Sequence, residues 1–304
     1  MKILVTGASG FVGGPVCRAL MARGHRVVAA SRRDLPGLVV IRIGELGPDT
    51  DWRPALDGVE AVVHLAARAH VMQEAETDPL ALFRRINRDA TLHLAEQAAG
   101  AGVKHFLFAS SIKVNGEATL PDRPFTADDP PAPCDPYGIA KAEAEQGLRA
   151  VAGPMALTIL RPPLIHGPGA KGNLATLLKV LNTGLPLPLG GLANRRSLVG
   201  IDNLADALGF LLERRAAGTF LIRDGEDVST SQLLRLLGAG LGRPARLIPL
   251  PAILFRLLGR SGTIRRLTGS LVVDDSPLRA LGWTPPLSLK DGLARMTSAW
   301  RNTR

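Results

Sequence analysis

Lys2-Ile3-Leu4-Val5-Thr6-Gly7-Ala8-Ser9-Gly10-Phe11-Val12-Gly13 is the stretch whose reading decides the fold. An apolar run of strand length ends at Thr6, three glycines follow at three-residue spacing, and Val16, Ala19, Leu20 and Ala22 then keep a helical period up to Gly24. The order is strand, glycine loop, helix. Gly7 permits a tight turn, Gly10 lets backbone approach a pyrophosphate, and Gly13 lets helix and strand pack closely, with phosphate at the positive helix N-terminus. Ser9, Phe11 and Val12 complete a loop of the kind that holds a dinucleotide.

Further apolar runs at 26–30, 38–43, 61–64, 104–109 and 156–160 alternate with helical patterns, among them a long one over 79–99 with Leu80, Phe83, Ile86, Leu92, Leu94 and Ala95 at core spacing. This alternation predicts an α/β protein: a Rossmann-type doubly wound parallel sheet with a smaller C-terminal substrate-binding lobe. The loop-rich passage Arg161-Pro162-Pro163-Leu164-Ile165-His166-Gly167-Pro168-Gly169 marks the departure into that lobe. Residues 1–165 are read as the nucleotide-binding domain, with 197–222 returning to it. Residues 166–196 and 223–304 are read as the second lobe, with helices over 173–181, 229–241, 251–258 and 287–300.

In such sheets ligands bind outside the carboxyl ends of the strands, so strand ends nominate the site. The second strand runs into Ser31-Arg32-Arg33, with no carboxylate before Asp34. Arginine there suits the 2′-phosphate of NADP(H), which is favoured, while Asp34 leaves NAD(H) open. Glu45 and Leu46 are placed to flank the adenine. Leu65-Ala66-Ala67 supplies small residues for a chain passing under the cofactor, and His64 before them reads as structural. The fifth strand delivers Ser110 and Ser111.

Pro136-Tyr137-Gly138-Ile139-Ala140-Lys141 opens a helix after a proline-rich loop, and Tyr137 is the chain's one tyrosine. Residues i and i+4 share a helix face, so the Tyr137 phenol and the Lys141 ammonium are expected to point into one space. A nearby cation favours phenolate, and lowering the phenol by roughly three units corresponds to about 4 kcal/mol. Such a tyrosine could serve as acid or base near neutral pH.

Composition excludes other classes. The net charge of +10 comes from scattered arginine pairs, and aromatic residues are only 4% of the chain, so nucleic-acid stacking platforms are missing. An anionic small molecule suits this charge better. Cys17 and Cys134 have no metal or redox spacing and read as buried small hydrophobes in a reducing compartment. No metal site is expected. The N-terminus turns glycine-rich before a signal-peptide core could form, and the apolar run at 250–255 is far short of the roughly 18 residues a bilayer span needs. A soluble, cytoplasmic protein is expected. The 251–258 helix, apolar with flanking arginines, reads as a lid or dimer surface rather than a membrane contact.

Together, Thr6-Gly7-x-x-Gly10-x-x-Gly13, Ser111 and Tyr137-x-x-x-Lys141 resemble the extended short-chain dehydrogenases/reductases, the NAD-dependent epimerase/dehydratase family acting on nucleotide sugars. The resemblance extends to His64-Leu65-Ala66-Ala67, Asn87-x-x-x-Thr91, Arg196-Ser197-Leu198-Val199-x-x-Asp202 and Leu281-Gly282-Trp283-x-Pro285. It implies that Tyr137 is the acid/base, that Lys141 binds the nicotinamide ribose, and that Ser111 hydrogen-bonds the sugar oxygen being oxidised or reduced. It implies cofactor contacts from Asn87, Ser110 and Pro163 as well, substrate contacts from Lys113, Asn173 and Arg196, a UDP-sugar substrate, and a homodimer. Sugar 4,6-dehydratases carry Asp-Glu directly after the active-site hydroxyl residue, whereas this chain has Ile112-Lys113, so dehydration is not expected. His64-Leu65-Ala66-Ala67-Arg68-Ala69-His70-Val71-Met72 and Ser110-Ser111-Ile112-Lys113-Val114-Asn115-Gly116-Glu117 look like a subgroup of oxidoreductases. The expected function is therefore an NADP(H)-preferring 4-keto-sugar reductase acting on a UDP-sugar such as UDP-4-keto-6-deoxy-N-acetylglucosamine. An NAD-dependent UDP-sugar 4-epimerase is the alternative, and a redox-silent binding protein a third reading against which the intact Ser111, Tyr137 and Lys141 set argues.

Overall fold

A computed structural model describes residues 1–69, 78–249 and 267–303. The motif residues His70-Val71-Met72 and the expected 251–258 helix lie outside the described residues. Seven strands form one parallel sheet: β1 (Lys2–Thr6), β2 (Arg26–Ser31), β3 (Val39–Arg42), β4 (Ala61–His64), β5 (His105–Ala109), β6 (Ala156–Arg161) and β9 (Gly218–Leu221). Their order is β3-β2-β1-β4-β5-β6-β9, so the winding reverses between β1 and β4 and opens a crevice above that edge.

The strands read as continuous apolar runs because helices cover both faces. On one face Val16 and Leu20 of α1 (Gly13–Ala22) meet Leu208 and Leu211 of α7 (Ile201–Glu213) over Ile3 and Val5. On the other, Leu94 and Ala98 of α4 (Ala90–Gly100) meet Ala144 and Leu148 of α5 (Pro136–Val151) over Leu4, Val62 and Phe106. This is the doubly wound Rossmann-type α/β architecture expected from the sequence. The short α2 (Arg53–Leu56) closes the connection into β4 beneath buried Trp52.

The helix expected over 79–99 is interrupted. It divides into α3 (Pro79–Arg84), a π turn at Arg85–Asp89, and α4. Within the turn Asn87 is fully buried, and the Thr91 hydroxyl donates to the Asn87 carbonyl at 2.9 Å. An apolar 3.6-residue period does not reveal one inserted residue, because the flanking turns keep their faces.

A second, three-stranded sheet was not apparent in the sequence. It comprises β7 (Leu164–His166), β8 (Arg196–Gly200) and β10 (Asp227–Val228), with β8 central, parallel to β7 and antiparallel to β10. Strands of three and two residues are too short to show alternation. Against it pack α6 (Asn173–Thr183), α8 (Thr230–Gly240) and α10 (Leu289–Asn302), through Leu174, Leu178, Leu234, Leu237, Leu293 and Met296. The late motif is structural: after α9 (Ser276–Ala280), Trp283 is buried and its indole donates to Asp206 of α7 at 3.0 Å.

Cys17 is buried on α1 and its thiol is pushed up to about 11 by burial. Cys134 departs from the expected burial: it is exposed in the loop before α5. Among the described residues no helix is long and apolar enough to cross a membrane.

Candidate active site

The glycine loop sits where β1 ends. Gly7 adopts φ +69°, and a Cβ there would lie 2.7 Å from the Ala66 nitrogen, so turn geometry and packing against the β4 exit both demand glycine. At Gly13 a Cβ would fall 2.1 Å from the Gly7 carbonyl oxygen, which fixes how closely α1 enters over the loop. Ser9 and Gly10 are exposed, Phe11 and Val12 half-buried, and no side chain caps the start of α1. An uncapped helix N-terminus beside bare backbone fits a pyrophosphate.

A chain of buried hydrogen bonds holds this loop to its neighbours. The Ala66 amide donates to Thr6 Oγ1 at 3.2 Å, Thr6 Oγ1 meets His64 Nδ1 at 2.7 Å, and His64 Nε2 meets Thr91 Oγ1 at 2.9 Å. Because Thr91 donates onward to the Asn87 carbonyl, it must accept from His64, which assigns the proton to Nε2 and makes Thr6 the donor to Nδ1. Burial, helped by the charge of Lys141, drives His64 down to about 3, so it stays neutral. His64 is structural, as its sequence setting suggested. The Asn87 amide bonds both backbone groups of Arg68, at 2.8 and 3.0 Å, and so holds the loop carrying Leu65, Ala66 and Ala67 in place under the crevice.

At the far edge Ser31 is buried and accepts from the Arg33 amide at 3.2 Å. Arg32 and Arg33 are exposed, while Asp34 pairs with Arg42 at 2.5 Å. Glu45 is exposed and Leu46 packs, partly buried, against the core.

The catalytic candidates gather at the ends of β5 and β6. Ser110 is buried, and Ser111 caps the short helical turn Ile112–Val114, accepting from the Lys113 amide at 3.3 Å. The Ile112 amide donates to the Pro162 carbonyl at 3.0 Å, bringing buried Pro163 beside that turn. Asp135 caps α5 through the Gly138 amide at 2.7 Å, and Pro136 starts the helix that presents Tyr137. The Tyr137 ring meets Phe83 of α3 edge-on at 6.2 Å, and Ser111 lies near enough to its phenol to favour phenolate.

Lys141 is 1% exposed; its ammonium donates to the Ala109 carbonyl at 2.9 Å and lies 4.2 Å over the Phe108 ring. Burial pulls it down to about 7, with Glu145 opposing. Tyr137 departs from the expected direction. Burial, reinforced by the Asp135 charge and opposed by Ser111, pushes its phenol up to about 12. The shared helix face brings tyrosine and lysine together, but desolvation of the phenolate outweighs the ammonium, which is engaged by backbone.

A buried network beneath these groups escaped the sequence reading. Glu145 and Arg161, 1% and 2% exposed, form a bidentate pair at 2.9 and 2.6 Å. Ser110 donates to Glu145 at 2.6 Å, and Arg161 donates to Asn115 Oδ1 at 3.0 Å. One signal was present: Tyr137, Lys141 and Glu145 lie at i, i+4 and i+8 on one face of a helix whose other buried residues are small or apolar. The partner Arg161 comes from a different strand end, which no local pattern announces.

Lys113 reaches Asp135 with its ammonium and lies 5.9 Å from the Tyr137 ring centroid. The other two substrate candidates lie with the second sheet. Asn173 is exposed at the start of α6. Arg196 opens β8, donates to the Gly269 carbonyl at 3.1 Å, and is shifted down by burial. In a second buried cluster His166 pairs with Asp224 at 2.6 Å, and Asp224 accepts from the Gly200 amide and from Asn203.

Residues 3–222 match the NAD dependent epimerase/dehydratase family. The chain is 40% identical over 312 residues to a UDP-glucose 4-epimerase of Vibrio cholerae, covering 98% of this chain and 95% of that protein. It is 30% identical over 336 residues to a 2-alkyl-3-oxoalkanoate reductase of Stenotrophomonas maltophilia, covering 98% and 99%. Among solved structures, MoeE5 in complex with UDP-glucose and NAD superposes with a TM-score of 0.79 at 28% identity, over 100% of this chain and 99% of that one. With the glycine loop at the head of a parallel sheet, Ser111 after the end of β5, and Tyr137 and Lys141 on α5, the protein belongs to the NAD-dependent epimerase/dehydratase family and is an NAD(P)-dependent enzyme.

Proposed function

We propose that this protein is an NAD-dependent UDP-sugar 4-epimerase. The observation that carries the reading is the cluster of Ser111, whose hydroxyl lies close enough to the phenol of Tyr137 to favour phenolate, and Lys141 buried one turn beyond. Next to Ser111 stand buried Ile112 and an ion-paired Lys113, so no free carboxylate follows the hydroxyl to drive elimination of water. The Vibrio cholerae relative and the UDP-glucose complex of MoeE5 support both the reaction and the substrate class.

When bound, the nicotinamide supplies the hydride acceptor and donor. The glycine loop and the uncapped start of α1 would hold the pyrophosphate of the dinucleotide, and the Thr6–His64–Thr91 chain keeps the loop rigid against β4. Tyr137 takes the proton of the sugar 4-hydroxyl and later returns it, with Ser111 positioned to hydrogen-bond the same oxygen. The nearby ammonium of Lys141 favours phenolate, opposing the desolvation that holds Tyr137 protonated in the protein alone. Lys113, Asn173 and Arg196 are proposed to meet the substrate.

One observation favours a second reading, an NADP(H)-dependent 4-keto-sugar reductase. Arg32 and Arg33 stand exposed after β2 while Asp34 is turned to Arg42, an arrangement that suits a 2′-phosphate. The co-purifying cofactor separates the two. Retained NAD, with interconversion of UDP-glucose and UDP-galactose or their N-acetyl forms, supports the epimerase. NADPH consumption with UDP-4-keto-6-deoxy-N-acetylglucosamine, and no interconversion, replaces it by the reductase. Tyr137→Phe is expected to lower turnover at least 100-fold while cofactor affinity is kept; turnover like the wild type would remove the assignment. We propose further that the protein is a cytoplasmic homodimer joined through the 79–99 segment and α5, to be checked by size exclusion with light scattering.

A further inference from the structure

The geometry points to the Lys113–Asp135 ion pair as the electrostatic positioning element of Tyr137: the pair sets how readily the phenol gives up its proton. This rests on the reading of Tyr137 as acid/base. Three observations carry it. Lys113 bonds Asp135 directly, so the two form one unit. The Lys113 ammonium lies 5.9 Å from the centroid of the Tyr137 ring, within reach of its face. Asp135 caps α5 two residues before Tyr137, so its carboxylate cannot move away from the phenol without undoing the helix start.

The charges around Tyr137 can be named from each element packed on it. Asp135 at the start of α5 opposes phenolate and stands second only to burial among the causes that push the phenol up. Ser111, from the turn after β5, favours phenolate. Lys141 lies one helical turn along, engaged by the Ala109 carbonyl. From α3 comes Phe83, which is uncharged, with the Arg68 guanidinium 6.0 Å over the far ring. Lys113 alone among these cations holds the opposing carboxylate.

Its removal therefore has a signed consequence. With Lys113 gone, Asp135 faces Tyr137 uncompensated and the phenol holds its proton to higher pH. Removing the carboxylate instead, as in Asp135→Asn, leaves an unpaired cation over the ring while an asparagine still caps the helix, and phenolate forms at lower pH.

Because Tyr137 is the only tyrosine, an ultraviolet phenolate titration reads this residue alone and needs no assumption about the reaction. The experiment titrates NAD-loaded wild type, Lys113→Met, Lys113→Arg, Asp135→Asn and the double variant, and records the pH dependence of sugar oxidation for each. Lys113→Met is expected to reach a given phenolate fraction about one pH unit higher, with about tenfold less oxidation at pH values below the transition. Asp135→Asn should shift both curves the other way, Lys113→Arg should restore them, and the double variant should return near wild type. An unchanged titration in Lys113→Met overturns the proposal, whether activity falls equally at every pH or only the KM for the sugar rises. Failure of the acid/base reading is distinct: the titrations shift as stated while Tyr137→Phe stays active.

Discussion

Two buried cations lie within one site and are treated in opposite ways. Arg161 is 2% exposed and meets both oxygens of Glu145, with Asn115 on its remaining edge. Lys141 is 1% exposed and has one carbonyl and a ring face. A guanidinium presents a planar fork that a carboxylate can satisfy completely, and it stays charged. An ammonium is a point charge whose proton burial can displace, and Lys141 is pulled down to about 7. The fully paired cation is scaffold, joining β6 to α5 beneath the reactive loop. The under-paired one is the group whose charge burial brings close to changing near neutral pH.

Breaking the paired cation should have the largest effect on stability. Glu145→Ala leaves Arg161 buried without a counter-charge, and a loss of about 3–5 kcal/mol is expected, read as a lower denaturation midpoint with an unchanged slope. A loss below about 1 kcal/mol would show that water or Asn115 replaces the carboxylate. The under-paired cation should respond with opposite sign. Lys141→Met is expected to abolish turnover yet to raise stability near neutral pH by about 1–2 kcal/mol. Its folded-state value of about 7 lies below the ordinary 10.5, so between these pH values the unfolded chain binds more protons. The wild type therefore gains stability as pH rises through that window, and the variant's advantage should close toward pH 10.5. Urea unfolding at several pH values checks this.

A third test concerns the neutral groups. His64 and His105 are driven by burial to about 3 and about 4 from an ordinary 6.5. Their contribution is present above pH 6.5 and declines as pH falls toward those values, by roughly 1 kcal/mol per pH unit for each histidine. Replacing His105, which meets Thr158 at 2.7 Å, with asparagine should flatten the acid limb of the stability profile by one histidine's share.

Much of the fold was legible locally. The glycine loop, the continuous apolar strands and the proline start of α5 each state their structure within a dozen residues. What was not legible has a common cause. The π turn at Arg85–Asp89 hides within a period that its flanks preserve, and the strands Leu164–His166 and Asp227–Val228 are too short to carry a pattern. Cys134 read as a small hydrophobe, yet the loop before α5 leaves it exposed.

By itself the sequence determined the nucleotide-binding sheet and the shared helix face of Tyr137 and Lys141, because backbone period and glycine conformation are local properties. The tertiary structure decided which charges stand beside that face. It set Glu145 against Arg161, placed Lys113 over the tyrosine against Asp135, and turned Asp34 to Arg42. It also set the direction of the Tyr137 shift, because desolvation depends on everything packed around a phenol and not on the residue four positions along its helix.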